Sequence, residues 1–330
     1  MSRKLITIST IMTLMSTSVI ADVPNVAADI APIHSLVSRV MDGVGAPKLI
    51  VQSGASPHGY RLRPSEAKAL QDADHVFWMG EELTPWLDSA IGTLASKASV
   101  TTLLDQQGVI LHDFREGALF EAHDHSAHGD DDHDDHDDHD DHDDHKDHDD
   151  HDDHDDHDDH GSHDPHAWLS PENAKLWLNI IASKLSVSDP ENAATYFMNA
   201  AAGQAEIEAM IAEVKATLKP VQGGKFVVFH DAYQYFENDF DFYASGAISL
   251  GDSSDPSPAR IEKVQKRIRD EGIQCVLAEP QFKKGLVATV MEGSDATASV
   301  IDPLGTELET GPKLYTQLIE NMAKTLRNCL

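Results

Sequence analysis

Positive charge is scarce in this chain. Against 57 Asp and Glu stand 25 Lys and Arg, and the 330 residues carry a net charge of −32. No basic patch survives that balance, which excludes nucleic acid as a partner. Long apolar runs are missing as well: beyond the first residues, no stretch approaches the ~20 apolar residues of a membrane-spanning helix. There are only 2 cysteines, Cys275 and Cys329. Neither lies near the N-terminus, where a lipid anchor would be attached.

The excess of negative charge is unevenly placed. Between His123 and His160 there are 21 Asp and one Lys, which contribute −20, and the rest of the chain carries −12. From His136 to His160 the sequence reads HDDHDDHDDHKDHDDHDDHDDHDDH. No residue of that tract can join an apolar core, so burial cannot offset the entropy of ordering it. Like-charge repulsion predicts an extended, disordered loop.

The N-terminus reads as an export signal. Arg3 and Lys4 precede a short apolar run from Leu5 to Ile20. Val19 and Ala21 place small residues at the positions that precede a cut before Asp22. A signal peptide over 1–21 is therefore expected. In an exported chain the two cysteines are either bridged or left as free thiols. A bridge would tie the middle of the second half to the last helix.

Beyond the signal, strand-like runs alternate with helical patterns. Leu49–Gln52 and His75–Met79 read as buried strands, with a helix opened by Pro64 between them. A helix over 85–95 and a strand over 99–104 follow. This βαβ rhythm implies a mostly parallel sheet covered by helices. After the tract, Asp189-Pro190-Glu191 has the form of a helix start, and the pattern runs to Leu218, before Pro220. A helix of that length suggests a rigid strut. The second half repeats the rhythm, with strands at KFVVF, IQCVLAE and ASVID, a helix closed by Gly272, and a terminal helix from Lys313. The expected fold is α/β: two Rossmann-like lobes with parallel sheets, joined by a long helix. The divisions are 22–122 plus 161–188 for the first lobe, 123–160 for the loop, 189–218 for the linking helix and 219–330 for the second lobe.

Fourteen histidines lie between His123 and His163, and six lie outside: His34, His58, His75, His112, His166 and His230. His58 follows the strand Leu49–Gln52, and His230 follows the strand of KFVVF. Ligands of open α/β sheets gather at the carboxyl ends of strands. One histidine from each half at such an end points to a site in the cleft between lobes. His166 precedes a helix opened by Pro171. Three imidazoles suit a borderline metal, zinc first. Asp302, in SVIDPLG, also ends a strand and is a candidate fourth ligand, or else a turn residue before Pro303. Asp231 and Glu279 are placed similarly. Asp164 is suited to orient His166. His34, His75 and His112 read as ordinary core or surface imidazoles. A zinc hydrolase also uses three histidines and a water, but no H-E-x-x-H motif or other recognised base stands beside these.

The segments GASPHGYRLRPSEAKALQDAD, DPHAWLSPENA, FHDAYQYF, LAEPQF and IDPLGTEL, in that order, resemble the zinc-binding ZnuA family of metal solute-binding proteins (cluster A-I). The resemblance covers nearly all of the mature chain. It implies a periplasmic, non-enzymatic protein that captures Zn²⁺ and hands it to an inner-membrane ABC permease and its ATPase. It places the metal histidines at His58, His166 and His230 and a disulfide at Cys275 and Cys329. Where some members carry a Glu before the first histidine, this chain has Pro57, which leaves the fourth ligand to water or Asp302. The tract, with imidazoles flanked by carboxylates, should hold further Zn²⁺ weakly and collect or sense it. A periplasmic zinc store or buffer is the competing reading. A monomer is expected.

Overall fold

The computed structural model describes residues 23–115, 120, 163–249, 251, 256–281 and 284–330. The expected signal peptide and the His/Asp tract lie outside the described residues.

The first sheet contains β1 (Val26–Ala28), β2 (Lys48–Leu49), β3 (His75–Trp78) and β4 (Ser99–Thr102), in the order β2-β1-β3-β4. All its pairings are parallel. The crossovers run through α1 (Ala31–Val40), α2 (Pro64–Gln71) and α3 (Pro85–Leu94). Two longer helices follow, α4 (Pro171–Ser188) and α5 (Ala193–Leu218). The second sheet contains β5 (Phe226–His230), β6 (Ala247–Ser249), β7 (Cys275–Ala278) and β8 (Thr297–Val300), in the order β6-β5-β7-β8 and again all parallel. Its helices are α6 (Gln234–Phe240), α7 (Pro258–Glu271), α8 (Lys284–Met291) and the terminal α9 (Leu314–Cys329). The chain is thus a two-lobe α/β protein with the same strand order in each lobe. The central strands β1, β3 and β5 are buried throughout, as parallel strands covered on both faces must be.

The strand order fixes where a ligand can sit. Each sheet winds outward in one direction and then in the other, so a crevice opens at the carboxyl ends of its two central strands. In the first sheet that crevice is closed by Asp29, whose buried carboxylate accepts the backbone N–H groups of Ile30 and Met79 at 2.7 Å each. Burial raises the Asp29 pKa to about 7. In the second sheet the corresponding ends carry His230 and, one residue beyond β7, Glu279.

The long helix differs from the expected strut. It begins at Ala193 rather than at Asp189. Asp189 closes α4, and its side chain accepts from Asn192 Nδ2 and Tyr196 Oη at 2.7 Å each. The helix packs along α4, α9 and α1 through the buried residues Tyr196, Ala200, Gly203, Ile207, Met210, Val214 and Leu218. Their spacing of three and four makes one continuous apolar stripe. A Cβ on Gly203 would stand 3.0 Å from Leu178 Cδ1 and 3.1 Å from Arg39 Cγ, so the missing side chain allows the close approach. One apolar core therefore runs from Val26 and Phe77 in the first sheet to Val228 and Leu277 in the second.

Cys275 at the start of β7 and Cys329 at the end of α9 form a disulfide across 54 residues. It ties the terminal helix to a central strand. Closing a loop of that size restricts the unfolded chain by about 4 kcal/mol on the chain-entropy estimate. Replacing both cysteines by Ala should lower the urea midpoint correspondingly, with a slope somewhat steeper than the parent's because the unlinked unfolded chain exposes more surface.

Candidate metal centre

His58 lies in the loop between β2 and α2. That loop is anchored from below: Trp86 Nε1 on α3 donates to the Pro57 carbonyl at 2.7 Å, and Tyr60 Oη donates to Glu66 at 2.7 Å. Glu66 in turn accepts from the Arg63 N–H at 2.7 Å and starts α2. His166 precedes a short 3-10 turn over Ala167–Leu169, which leads into α4 through the capping side chain of Ser170. His230 is the last residue of β5. Three separate segments thus deliver one imidazole each. Their ligating nitrogens lie within 4.8 Å of one another, the one such grouping of potential metal donors among the described residues.

Two of the rings are held by buried carboxylates. His166 Nδ1 is 2.6 Å from Asp164 Oδ1, and His230 Nδ1 is 2.6 Å from Glu279 Oε1. A carboxylate can only accept, so each Nδ1 carries the hydrogen, and a neutral ring then turns its Nε2 lone pair to the opposite side. Those two Nε2 atoms face each other at 3.4 Å. Two lone pairs aimed at one point repel unless a proton or a cation lies between them. In a tetrahedral zinc site with Zn–N bonds of 2.0–2.1 Å, neighbouring nitrogens are about 3.3–3.4 Å apart. The observed separation matches that edge.

Residues 26–329 match the family described as ZnuA, zinc-uptake complex component A, periplasmic. The chain belongs to the ZnuA family. It is 49% identical over 305 residues to the high-affinity zinc uptake system protein ZnuA of Brucella abortus (strain 2308), covering 92% of this chain and 91% of that protein. The ZnuA of Paracoccus denitrificans (strain Pd 1222) is 46% identical over 311 residues, covering 94% and 93%. Among solved structures, one titled "Crystal structure of ZnuA" superposes with a TM-score of 0.70 at 20% identity, covering 93% of this chain and 99% of that one. The Mn²⁺ complex of FpvC from Pseudomonas aeruginosa gives 0.70 at 17%, covering 93% and 97%. At those identities the structures share the fold. ZnuA-family membership makes this chain a periplasmic zinc-binding component of a transporter.

The remaining candidates go elsewhere. Asp302, a candidate fourth ligand beside water, is not part of the grouping. Its Oδ1 accepts from the N–H groups of Leu304 and Gly305 at 3.0 and 2.9 Å, and its Oδ2 from Thr306 N and Oγ1 at 2.6 and 2.8 Å. Both oxygens hold the turn that follows the strand. His34 is buried on α1, with Nε2 3.2 Å from the Pro47 carbonyl. His75 on β3 contacts Ser188 Oγ at 2.7 Å. His112 lies against Tyr235, with its Nε2 3.1 Å from Asn238.

Arg115 has no counterpart in the sequence reading. It stands on the segment that leads into the tract and reaches the second lobe beside His230. Its guanidinium pairs with Asp231 and, at 2.6 Å, with Glu237 on α6, and it lies 3.6 Å over the Phe120 ring. Burial raises the pKa of both carboxylates, Glu237 to about 7, against the lowering effect of Arg115. On the returning side of the tract, His163 bonds Asp113 at 2.9 Å, and Tyr235 Oη donates to the Asp164 carbonyl at 2.7 Å. Arg115 and His163, which flank the tract in sequence, are thus each paired with a described residue. Arg115→Met would leave two buried carboxylates facing each other, which costs about 3–5 kcal/mol. The expected result is a large drop in the urea midpoint, largely restored when Asp231→Asn and Glu237→Gln are added.

Proposed function

We propose that His58, His166 and His230 together hold one Zn²⁺ in the cleft, and that the protein carries this ion to an inner-membrane ABC permease driven by its ATPase. The observation that carries the reading is the pair of inward Nε2 atoms 3.4 Å apart, each backed by a carboxylate. Asp164 and Glu279 fix the orientation of the rings and supply the negative charge that a divalent ion needs nearby. Three nitrogens and no directly coordinating carboxylate suit zinc better than manganese or magnesium, which favour oxygen. The ion is cargo, and the protein is not an enzyme. The chain is exported through its leader, residues 1–21, and works in the periplasm as a monomer. Residues 22–122 with 161–188 form one lobe and 219–330 the other, with 189–218 between them.

His230→Ala removes one arm of the tripod and leaves a Glu279 carboxylate in its place. Zinc affinity, measured by competition against a chelator, should fall by several orders of magnitude, while the variant still folds without zinc at a stability lowered by the loss of the His230 hydrogen from the buried Glu279 carboxylate. An unchanged affinity would rule out the assignment.

The tract over 123–160 is the collector in this proposal. Its imidazoles are many and its sequence has no apolar residue larger than Ala to build a pocket from, so each closure on an ion should cost chain entropy and each site should be weak. Their density raises the zinc concentration next to the cleft. Deleting residues 123–160 should abolish the weak phase of a zinc titration and keep the tight phase. A version with every tract His changed to Asn keeps the charge and should behave like the deletion. Growth of a strain carrying it should fall below the parent under chelation and match it at ample zinc. Parental growth at every chelator level would reduce the tract to a charged spacer.

A further inference from the structure

Three imidazoles are three donors, and a four-coordinate ion needs one more. The cavity bounded by the tripod indicates where it comes from. That cavity has a volume of ≈ 10 Å³, room for about one water-sized body. An ion seated there lies against the wall, so an oxygen of the wall is the first candidate for the fourth donor.

Besides the three histidines, the wall consists of Trp168, Gln281 and the apolar side chains of Pro57, Pro303 and Leu304. Trp168 offers only an N–H, and it donates to the Pro303 carbonyl at 2.8 Å. The Pro57 carbonyl accepts from Trp86. Asp302 is absent from this wall, and its oxygens are committed to its own turn. Gln281 is the one side chain of the wall that carries an oxygen.

The orientation of that amide is fixed. Gln281 Nε2 donates to Glu279 Oε2 at 2.7 Å, and a carboxylate requires the NH₂ end. The same carboxylate takes the Nδ1 hydrogen of His230 through its other oxygen. Gln281 Oε1 is then buried with no hydrogen-bond partner among the described residues. A buried carbonyl oxygen without a partner is rare and costly, and it calls for an explanation. An ion in the pocket that Gln281 lines is one.

The geometry points to Gln281 Oε1 as the fourth donor to the ion held by His58, His166 and His230, an assignment that rests on the three-histidine reading above. The inner shell is then neutral, with three imidazole nitrogens and one amide oxygen. The two negative charges that balance Zn²⁺ stand one hydrogen bond behind it, on Asp164 and Glu279. Such a shell discriminates against hard cations, which seek direct carboxylate contact.

The test uses the mature full-length chain, Co²⁺ as a spectroscopic stand-in for zinc, and azide as a small competing ligand. The parent should give intense visible bands of four-coordinate Co²⁺ that do not change on adding azide, because no coordination position is exchangeable. Gln281→Met removes the oxygen and opens that position, so azide should shift its bands and zinc affinity should fall about 10–100-fold. Gln281→Glu keeps an oxygen at the same reach and should remain insensitive to azide. Urea denaturation without metal checks that each variant folds. A parent complex that takes up azide overturns the proposal, and this holds even if the Met variant does not fold. So does a folded Met variant as insensitive as the parent. A parent that binds neither Co²⁺ nor Zn²⁺ overturns the three-histidine reading beneath it.

Discussion

His166 and His230 each direct an Nδ1 hydrogen at a buried carboxylate, and that choice leaves two Nε2 lone pairs facing one point across 3.4 Å. The local sequence around each ring serves this arrangement. Asp164 lies two residues before His166 and also accepts the His166 backbone N–H at 3.0 Å, so ring and backbone share one anchor. Glu279 comes one residue beyond the neighbouring parallel strand β7, and the register of β5 and β7 sets it level with His230. The strand order that opens a crevice in the second sheet is thus also what brings a base to the ligand. In the first sheet the equivalent crevice is closed by Asp29, and the histidine arrives instead from the loop after β2.

A tripod assembled from three segments keeps its geometry only if those segments do not drift. The shared core provides this. Trp168, two residues from His166, donates to the Pro303 carbonyl of the second lobe, and Tyr315 on α9 donates to the Trp168 carbonyl at 2.9 Å. Ser170 Oγ donates to Asp239 at 2.7 Å. With α5 packed along α4 and α9, the segment that carries His166 is joined to both lobes. A preformed site loses little entropy when it closes on its ion. The proposed roles of cleft and tract differ on this physical ground: one is assembled from packed segments, the other is by sequence dense in ligands and poor in apolar residues.

Much of this was legible in the chain. The buried runs around Val76, Val228 and Val276 read as parallel strands because they are apolar on both faces. His58 and His230 stood out because each follows such a run, and the structure brings them together with His166. The less legible features depend on contacts distant in sequence or on local chemistry with two meanings. An Asp before Pro reads equally as a ligand or as a turn anchor, and Asp302 makes the turn. Asp189 looks like a helix start from its neighbours, but the Tyr196 hydroxyl and Asn192 draw its carboxylate into a cap on the turn before the helix. Arg115 pairs with residues more than a hundred positions away, and no local pattern announces such a partner. Glu279 and Gln281 sit in LAEPQF, where only the folded sheet shows that one backs His230 and the other leaves a buried oxygen with no partner among the described residues.

The most direct test of the tripod is X-ray absorption at the zinc edge on the mature protein loaded with one equivalent of Zn²⁺. The expected spectrum is a first shell of light donors at about 2.0–2.1 Å, with the outer-shell scattering of three imidazoles. A shell of oxygen donors alone, or scattering from one imidazole only, would contradict a site built on His58, His166 and His230.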